Sequence, residues 1–234
     1  MGSAGTTGPG EPGDARTPLT RERILEAALS LVEREGPAAL SMRRLARDLG
    51  VEAMSLYNHV GGKAEILDGL AELFLTAIEL PPERGDSWED RIRALARAFR
   101  KAALANPKAA ALMLTRQLET PASMRPTDAS LAVFLDAGFD EQSAVHGLRA
   151  FIAFQIGTLL REVNSSPAFS GQVPAAAHGR TERLAASGFP AAARVAPYLA
   201  TCDHEAEYYF GVEALLTAMR VMLAERATHP SDAE

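Results

Sequence analysis

Apolar residues recur along this chain mostly three and four apart, the period of a helix with one buried face. The first such stripe is Ile24, Ala27, Ala28, Leu31 and Val32. Thr20 stands ahead of it as an N-cap and Gly36-Pro37 close it, so a helix is predicted over 21–35. Met42, Leu45, Ala46 and Leu49 make the next stripe, opened by Ser41 and closed by Gly50, where a left-handed C-cap costs least. Val51 restarts the chain, and a short helix is predicted over 53–60 with Leu56 and Val60 inward and Ser55, Tyr57, Asn58 and His59 outside. A fourth helix is predicted over 64–80, apolar at Ile66, Leu67, Leu70, Leu73, Phe74 and Ala77, until Pro81-Pro82 stop it.

The same period continues through the larger part of the chain. Ser87 caps a helix to about Ala105, carrying Trp88, Ile92, Leu95, Phe99 and Leu104; Asn106-Pro107 break it, and shorter helices are predicted over 108–118 and 124–137, the second interrupted by Pro126 and ended by Gly138. Asp140 then caps a helix over 141–163 whose Ala144, Leu148, Phe151, Ile152, Gln155, Ile156 and Leu159 carry little charge for about five turns. A helix so poor in charge needs cover on several sides. Residues 164–178, rich in Ser, Pro, Ala and Gly, read as a mobile loop able to act as a lid, and 179–200 as short helices broken by Gly188 and Pro190. Asp203 caps a final helix over 204–226, apolar at Phe210, Val212, Leu215, Leu216, Met219, Val221, Met222 and Leu223, with Gly211, Ala214 and Ala218 small enough for a partner helix to approach.

Composition agrees with an all-α protein: 47% of residues are hydrophobic, with Ala and Leu dominant and few Val, Ile or Thr alternations. At 234 residues the chain suits one or two compact domains. No stretch reads as apolar enough over enough length to span a membrane, so a soluble protein is expected. The lone Cys202 excludes an intramolecular disulfide, fits a reducing cytoplasm, and reads as a small buried apolar residue. Residues 1–18 hold Gly, Pro and Thr with almost nothing apolar and read as a disordered tail without the core of a signal peptide. Arg16 could reach a minor groove from it, though a surface tail is the plainer reading.

The chemistry concentrates in 41–63. Helix, glycine turn and helix at this length are the geometry in which a second helix enters a major groove while the first crosses the backbone. Arg43 and Arg44 can donate to phosphate or bidentately to guanine; Tyr57, His59 and Lys63 can donate to phosphate oxygens, and the helix N-terminus near Lys63 adds an anion site. The whole chain carries a net charge of −6. Within 41–63, however, Arg43, Arg44, Arg47 and Lys63 stand against Asp48 and Glu52, a local balance of +2. So small a patch predicts modest nonspecific binding with strong salt dependence, and a dimer would double its phosphate contacts. The plainer alternative is a packing unit with Tyr57 partly in the core, but a packing unit has no need of four polar groups on one short face.

Other candidates are weaker. Gly61-Gly62-Lys63 lacks both the earlier glycine of a phosphate loop and the Ser or Thr after the lysine, since Ala64 follows. Asp203, His204, Glu205 and Glu207 form the one dense His and carboxylate group, which reads as helix N-terminal acids offsetting the macrodipole. His146 reads as a half-buried imidazole. No nucleophile and base pattern is legible, so no enzyme activity, metal or cofactor is expected.

Leu40-Ser41 followed by LARDLGVEAMSLYNHVGGKAEILDGL resembles the N-terminal domain of TetR-family transcriptional repressors. The shared features are the Arg-Leu-Ala helix, Gly50-Val51, Leu56-Tyr57-x-His59-Val60, and Lys63 with Glu65-Ile66-Leu67. The resemblance implies that Arg43, Ser55, Tyr57, Asn58, His59 and Lys63 face double-stranded operator DNA. Arg43, Ser55 and Asn58 would lie toward base edges, and Tyr57, His59 and Lys63 would clamp phosphates. Ala105-Asn106-Pro107, Gly138-Phe139, Gln155-Ile156-Gly157 and Tyr209-Phe210-Gly211-Val212-Glu213 resemble the C-terminal domain of relatives of the tetracycline repressor.

That second resemblance implies a homodimer whose interface is built from the long helix and the final helix of each protomer, and a pocket for a small-molecule effector between connector helix and bundle. Its candidate lining is Phe99, Leu112, Met113, Met124, Phe134, Phe151, Phe154 and Gln155, fitted to a hydrophobic or aromatic molecule. Tetracycline repressors hold a magnesium–tetracycline chelate with a His and an acidic residue; aligning on the long helix puts Arg161 in the acidic position, which argues against that effector. The expected layout is a tail over 1–18, a helix-turn-helix domain over 19–64, a ligand-binding and dimerisation domain over 65–228 with 65–80 as connector, and a flexible end at 229–234. The expected function is a ligand-released cytoplasmic repressor. The alternative is a helical small-molecule-binding protein or enzyme on the same fold without operator binding.

Overall fold

A computed structural model of the chain describes residues 18–81, 87–113, 120–163 and 174–228. Within them every regular element is helical. The head comprises α1 (Arg21–Glu35), α2 (Met42–Leu49), α3 (Ala53–Leu56) and α4 (Lys63–Thr76), with a single 3₁₀ turn at Pro37–Ala39. Local signals place these elements. The Thr20 hydroxyl accepts from the Arg23 N–H and the Ser41 hydroxyl from the Arg44 N–H. Gly50 ends α2 at φ 66°, ψ 33°, a left-handed conformation that costs a glycine least.

Two head elements are shorter than their apolar pattern predicts. The helix expected over 53–60 is α-helical only to Leu56; the N–H groups of Tyr57, Asn58 and His59 then bond three residues back, which tightens the chain into turns and still delivers Val60 to the core. The helix expected to run to residue 80 ends at Thr76, well before the prolines. There the Thr76 hydroxyl bonds the Glu72 carbonyl and the Ala77 N–H is shared between the Leu73 and Phe74 carbonyls, loosening the ladder.

The bundle follows: α5 (Trp88–Ala105), α6 (Pro107–Met113), α7 (Pro121–Asp136), α8 (Glu141–Val163), α9 (Pro174–Ala185), α10 (Pro190–Arg194), α11 (Ala196–Ala200) and α12 (His204–Thr228). α5 and α8 have the bounds their caps predict. α7 starts three residues before its expected position, with Pro121 as its first residue, and carries Pro126 as its sixth, where the ring removes one intrahelical bond. Residues 174–178, expected as loop, are helical: Pro174 sits at the first position and three alanines follow. The second half of the helix expected over 108–118, the loop over 164–173 and both expected termini, over 1–17 and 229–234, lie outside the described residues.

The buried residues form two cores. The first gathers Ile24, Leu31, Leu45, Leu56, Ile66, Leu70 and Phe74 of the head with Ala103, Ala109, Ala110 and Leu159 from the base of the bundle. The second joins α5, α7, α8 and α12 through Ile92, Phe134, Phe139, Phe151, Tyr208, Val212 and Leu216, with Trp88 edge-on to Phe139 at 5.4 Å between ring centres. A Cβ on Gly211 would lie 2.2 Å from the Phe154 ring, so this small residue serves the packing of α12 on α8 within the chain. Head and bundle are also clasped: the Ala109 N–H at the start of α6 bonds the Glu33 carboxylate at 2.7 Å, and Lys108 Nζ bonds the Glu33 carbonyl at 2.9 Å in the last turn of α1.

Against the sequence expectation, Glu141–Glu162 is long and apolar enough to cross a membrane by length and composition. Its inner face carries the second core at Phe151 and the first at Leu159, while Ile152 is 37% exposed. α12 likewise exposes Phe210 (73%), Val221 and Met222.

Candidate nucleic-acid interface and ligand cavity

The glycine turn at 50 and the tight turns after α3 leave the polar side chains of this stretch outside the first core. Arg43, Tyr57, Asn58, His59 and Lys63 are exposed and Ser55 is half-buried, while Leu56 between Ser55 and Tyr57 is fully buried. Tyr57 is 49% exposed, so it is not a core residue. Lys63 opens α4 after Gly62, which has no side chain to cap the helix, so first-turn N–H groups stand free for an anion. Part of that terminus is already used: the Gly61 N–H bonds the Glu65 carboxylate at 2.6 Å.

Arg44 is placed differently. Its guanidinium pairs with Glu35 at the end of α1 and, at 3.1 Å, with Asp48, while Arg34 reaches the same Asp48 at 2.9 Å. This network fastens α2 to α1, and Arg44 is spent on it. Met54, which the sequence pattern did not mark for contact, is 74% exposed beside Ser55; an exposed thioether on this surface suits a thymine methyl.

In the bundle, a cavity of about 180 Å³ lies between α4, α5, α7 and α8. α4 supplies Ala71, Phe74 and Leu75, and the segment just after it Ile78; Leu95 and Phe99 come from α5, Pro126, Thr127 and Ser130 from α7, and Leu148, Ile152, Gln155 and Ile156 from α8. Of the residues expected here, Phe99 and Gln155 line it. Phe134 and Phe151 sit behind it, around a void of about 40 Å³ that Gln155 also borders. Phe154 stacks on Tyr208, away from the cavity, because Gly211 opens a seat for its ring. Met124 is 53% exposed and does not reach the cavity. The side chains of Leu112 and Met113 lie outside the described residues. A second hollow of about 370 Å³ lies between α1, α4 and α5, also walled by Phe74. α4 therefore has open space on two sides.

The floor of the cavity rests on a buried polar group that periodicity does not reveal. Arg100, 6% exposed, pairs with both oxygens of Glu162 at 2.6 and 3.0 Å, and its Cζ lies 4.9 Å from the centre of the Tyr208 ring. Tyr208 Oη is 2.8 Å from the Ala96 carbonyl oxygen and 2.9 Å from Oε1 of the Gln155 amide. Burial pushes the Tyr208 phenol above its usual pKa, so it stays protonated. α5 carries four arginines, and nothing local sets Arg100 apart from the others; its partner, 62 positions away, is brought near only by the fold.

The remaining candidates separate. Asp203 Oδ1 accepts from the N–H groups of Glu205 and Ala206, so it caps α12. His204 Nδ1 is 3.6 Å from Cys202 Sγ, and burial pushes the Cys202 thiol up, away from reactivity. Cys202 is only partly buried, and His146 is exposed rather than half-buried. Among the described residues no three His, Cys, Asp or Glu side chains are grouped to hold a metal.

Known proteins share this arrangement. The family model described as tetracyclin repressor-like, C-terminal domain, matches residues 80–223, and that of bacterial regulatory proteins, tetR family, matches residues 24–70. An HTH-type transcriptional regulator of Saccharopolyspora erythraea is 36% identical over 144 residues, 62% of this chain and 61% of that protein. The class C tetracycline repressor protein of Escherichia coli is 35% identical over 146 residues, 62% of this chain and 66% of that one. The chain thus spans just under two thirds of the length of these two relatives. ActR of Streptomyces coelicolor, solved in complex with actinorhodin, has a TM-score of 0.76 at 27% identity, covering 86% of this chain and 95% of that chain.

Proposed function

The chain belongs to the tetracycline-repressor family of transcription regulators, and from that we propose that it is a dimeric repressor whose grip on an operator is released by a small apolar or aromatic molecule. The observation that carries this reading is that one helix serves both sites. α4 begins at Lys63 in the candidate DNA surface and, about two turns on, walls the cavity with Ala71, Phe74 and Leu75. A molecule that fills the cavity pushes on α4, and the hollow on its other side leaves room for the helix to yield.

In this reading Arg43, Ser55 and Asn58 read base edges, with Met54 against a thymine methyl, and Tyr57, His59 and Lys63 hold phosphates. The exposed apolar residues of α8 and α12, Ile152, Phe210, Val221 and Met222, meet their counterparts in a second copy. Two half-sites about one turn of DNA apart must match two heads, so a shift of a few ångströms in head separation suffices for release. Its place is the cytoplasm, with the DNA. That ActR is solved in complex with actinorhodin supports the pocket's class of ligand.

Fluorescence anisotropy against the DNA flanking the chain's own gene, with nonspecific competitor at two salt concentrations, tests the proposal. Tight, salt-sensitive, palindrome-dependent binding is expected. Equal affinity for scrambled DNA would overturn it in favour of a ligand-binding protein without an operator.

A further inference from the structure

The protons around Tyr208 do not match its neighbours at face value. A phenol has one proton, yet Tyr208 Oη lies within bonding distance of two partners, the Ala96 carbonyl and the Gln155 amide. A carbonyl can only accept, so the proton goes to Ala96. As placed, the Gln155 amide turns Oε1 toward Oη at 2.9 Å, so one phenolic proton would serve two acceptors and leave one pair of lone pairs face to face in a buried site; with the amide turned over, its NH₂ donates to Oη and both contacts are hydrogen bonds. We infer that Gln155 presents its carbonyl oxygen to the cavity, and that the cavity selects apolar molecules carrying a hydrogen-bond donor, such as a phenolic hydroxyl.

A second polar group in the wall agrees. The Ser130 hydroxyl donates to the Pro126 carbonyl at 2.9 Å, so what it has left for a ligand is a lone pair. Gln155 is itself a buried residue, its free amide end has no bond within the described residues, and it is not sealed from solvent; the cavity is the space beside it. Acceptors facing an apolar hollow favour a donor and penalise a ligand whose polar atoms are all acceptors.

The inference rests on the cavity being the effector site, and its test separates the two. Titration calorimetry with 2-naphthol, its methyl ether 2-methoxynaphthalene and the ketone 2-acetylnaphthalene is expected to show naphthol binding about tenfold or more tightly than the other two, with the preference lost in Gln155→Leu. Nuclear Overhauser effects in the unmodified protein, between the Gln155 amide protons and the Tyr208 ring protons beside the hydroxyl, read the amide orientation directly and do not depend on the variant folding. Ether or ketone binding as well as naphthol, or amide protons remote from Tyr208, would overturn the donor preference and leave the effector site standing. If none of the three binds while the amide is oriented as inferred, the cavity is not the effector site and the preference falls with it.

Discussion

The head and the bundle are held together by different kinds of interaction. In the head the positioning bonds are short in sequence: Thr20 to Arg23, Ser41 to Arg44, Gly61 to Glu65, and the left-handed turn at Gly50. In the bundle they are long: Arg100 to Glu162, Arg93 to Glu213, Arg220 to Glu89, and Tyr208 to Ala96. The candidate DNA surface is therefore shaped by local bonds, on a core that the head shares with the base of the bundle. The cavity exists only when distant segments have already met.

The sharpest way to break that contrast is Arg100→Ala. It leaves Glu162 without its bidentate partner and Tyr208 without the cation over its ring, and should cost about 3–5 kcal/mol of bundle stability in urea unfolding. A loss below about 1 kcal/mol would mean the pair is solvated in solution. Gly50→Ala is the matching change in the head. A Cβ there touches nothing within 4 Å, so its cost is the left-handed backbone alone, about 1–2 kcal/mol, read as earlier melting with parallel weakening on DNA.

Most of the head was legible in its sequence because each element carries its own cap, and a cap acts within three residues. α1 and α2 end where Gly36 and Gly50 place them. The recognition segment was overestimated because apolar spacing at Leu56 and Val60 fits an α-helix and a run of tight turns equally well. In the bundle, helix bounds could be read at Ser87, Asp140 and Asp203, but the cavity could not. Phe154 and Phe151 have the same chemistry on the same helix; only the bare backbone at Gly211, 57 positions from Phe154, draws one ring away toward α12. Met124 shows the converse, an apolar residue at plausible spacing that its helix turns to solvent.

One lysine and two arginine changes refine the division within the head. Lys63→Ala should weaken binding to all sequences and lower the salt slope by about one per protomer. Arg44→Ala should leave that slope unchanged, since the partners of its guanidinium are Glu35 and Asp48. A reduced slope in Arg44→Ala would put this guanidinium on the DNA after all. Arg43→Ala should chiefly relax preference at one base pair, as seen by competition with single-substituted operators.

The smallest effect concerns a surface tie of the bundle. The Arg93 guanidinium holds the Glu213 carboxyl below the usual carboxylate range. A lowered pKa gives stability that is complete above the unfolded value and is lost as pH falls through the folded one. The advantage of the natural protein over Glu213→Gln should thus be constant above about pH 5 and shrink below about pH 4, and stay under about 1 kcal/mol throughout because the pair is half in water. A difference that grew on acidification would reverse the assignment.

The clasp of Glu33 with Lys108 and Ala109 gives the head a second mounting besides α4. With the core that Ala103, Ala109, Ala110 and Leu159 share with the head, the fold holds the head along a seam rather than at a point. In the proposed repressor, a molecule entering the cavity would have to work against that whole seam, so the seam's stiffness sets how large a ligand must be before the head moves.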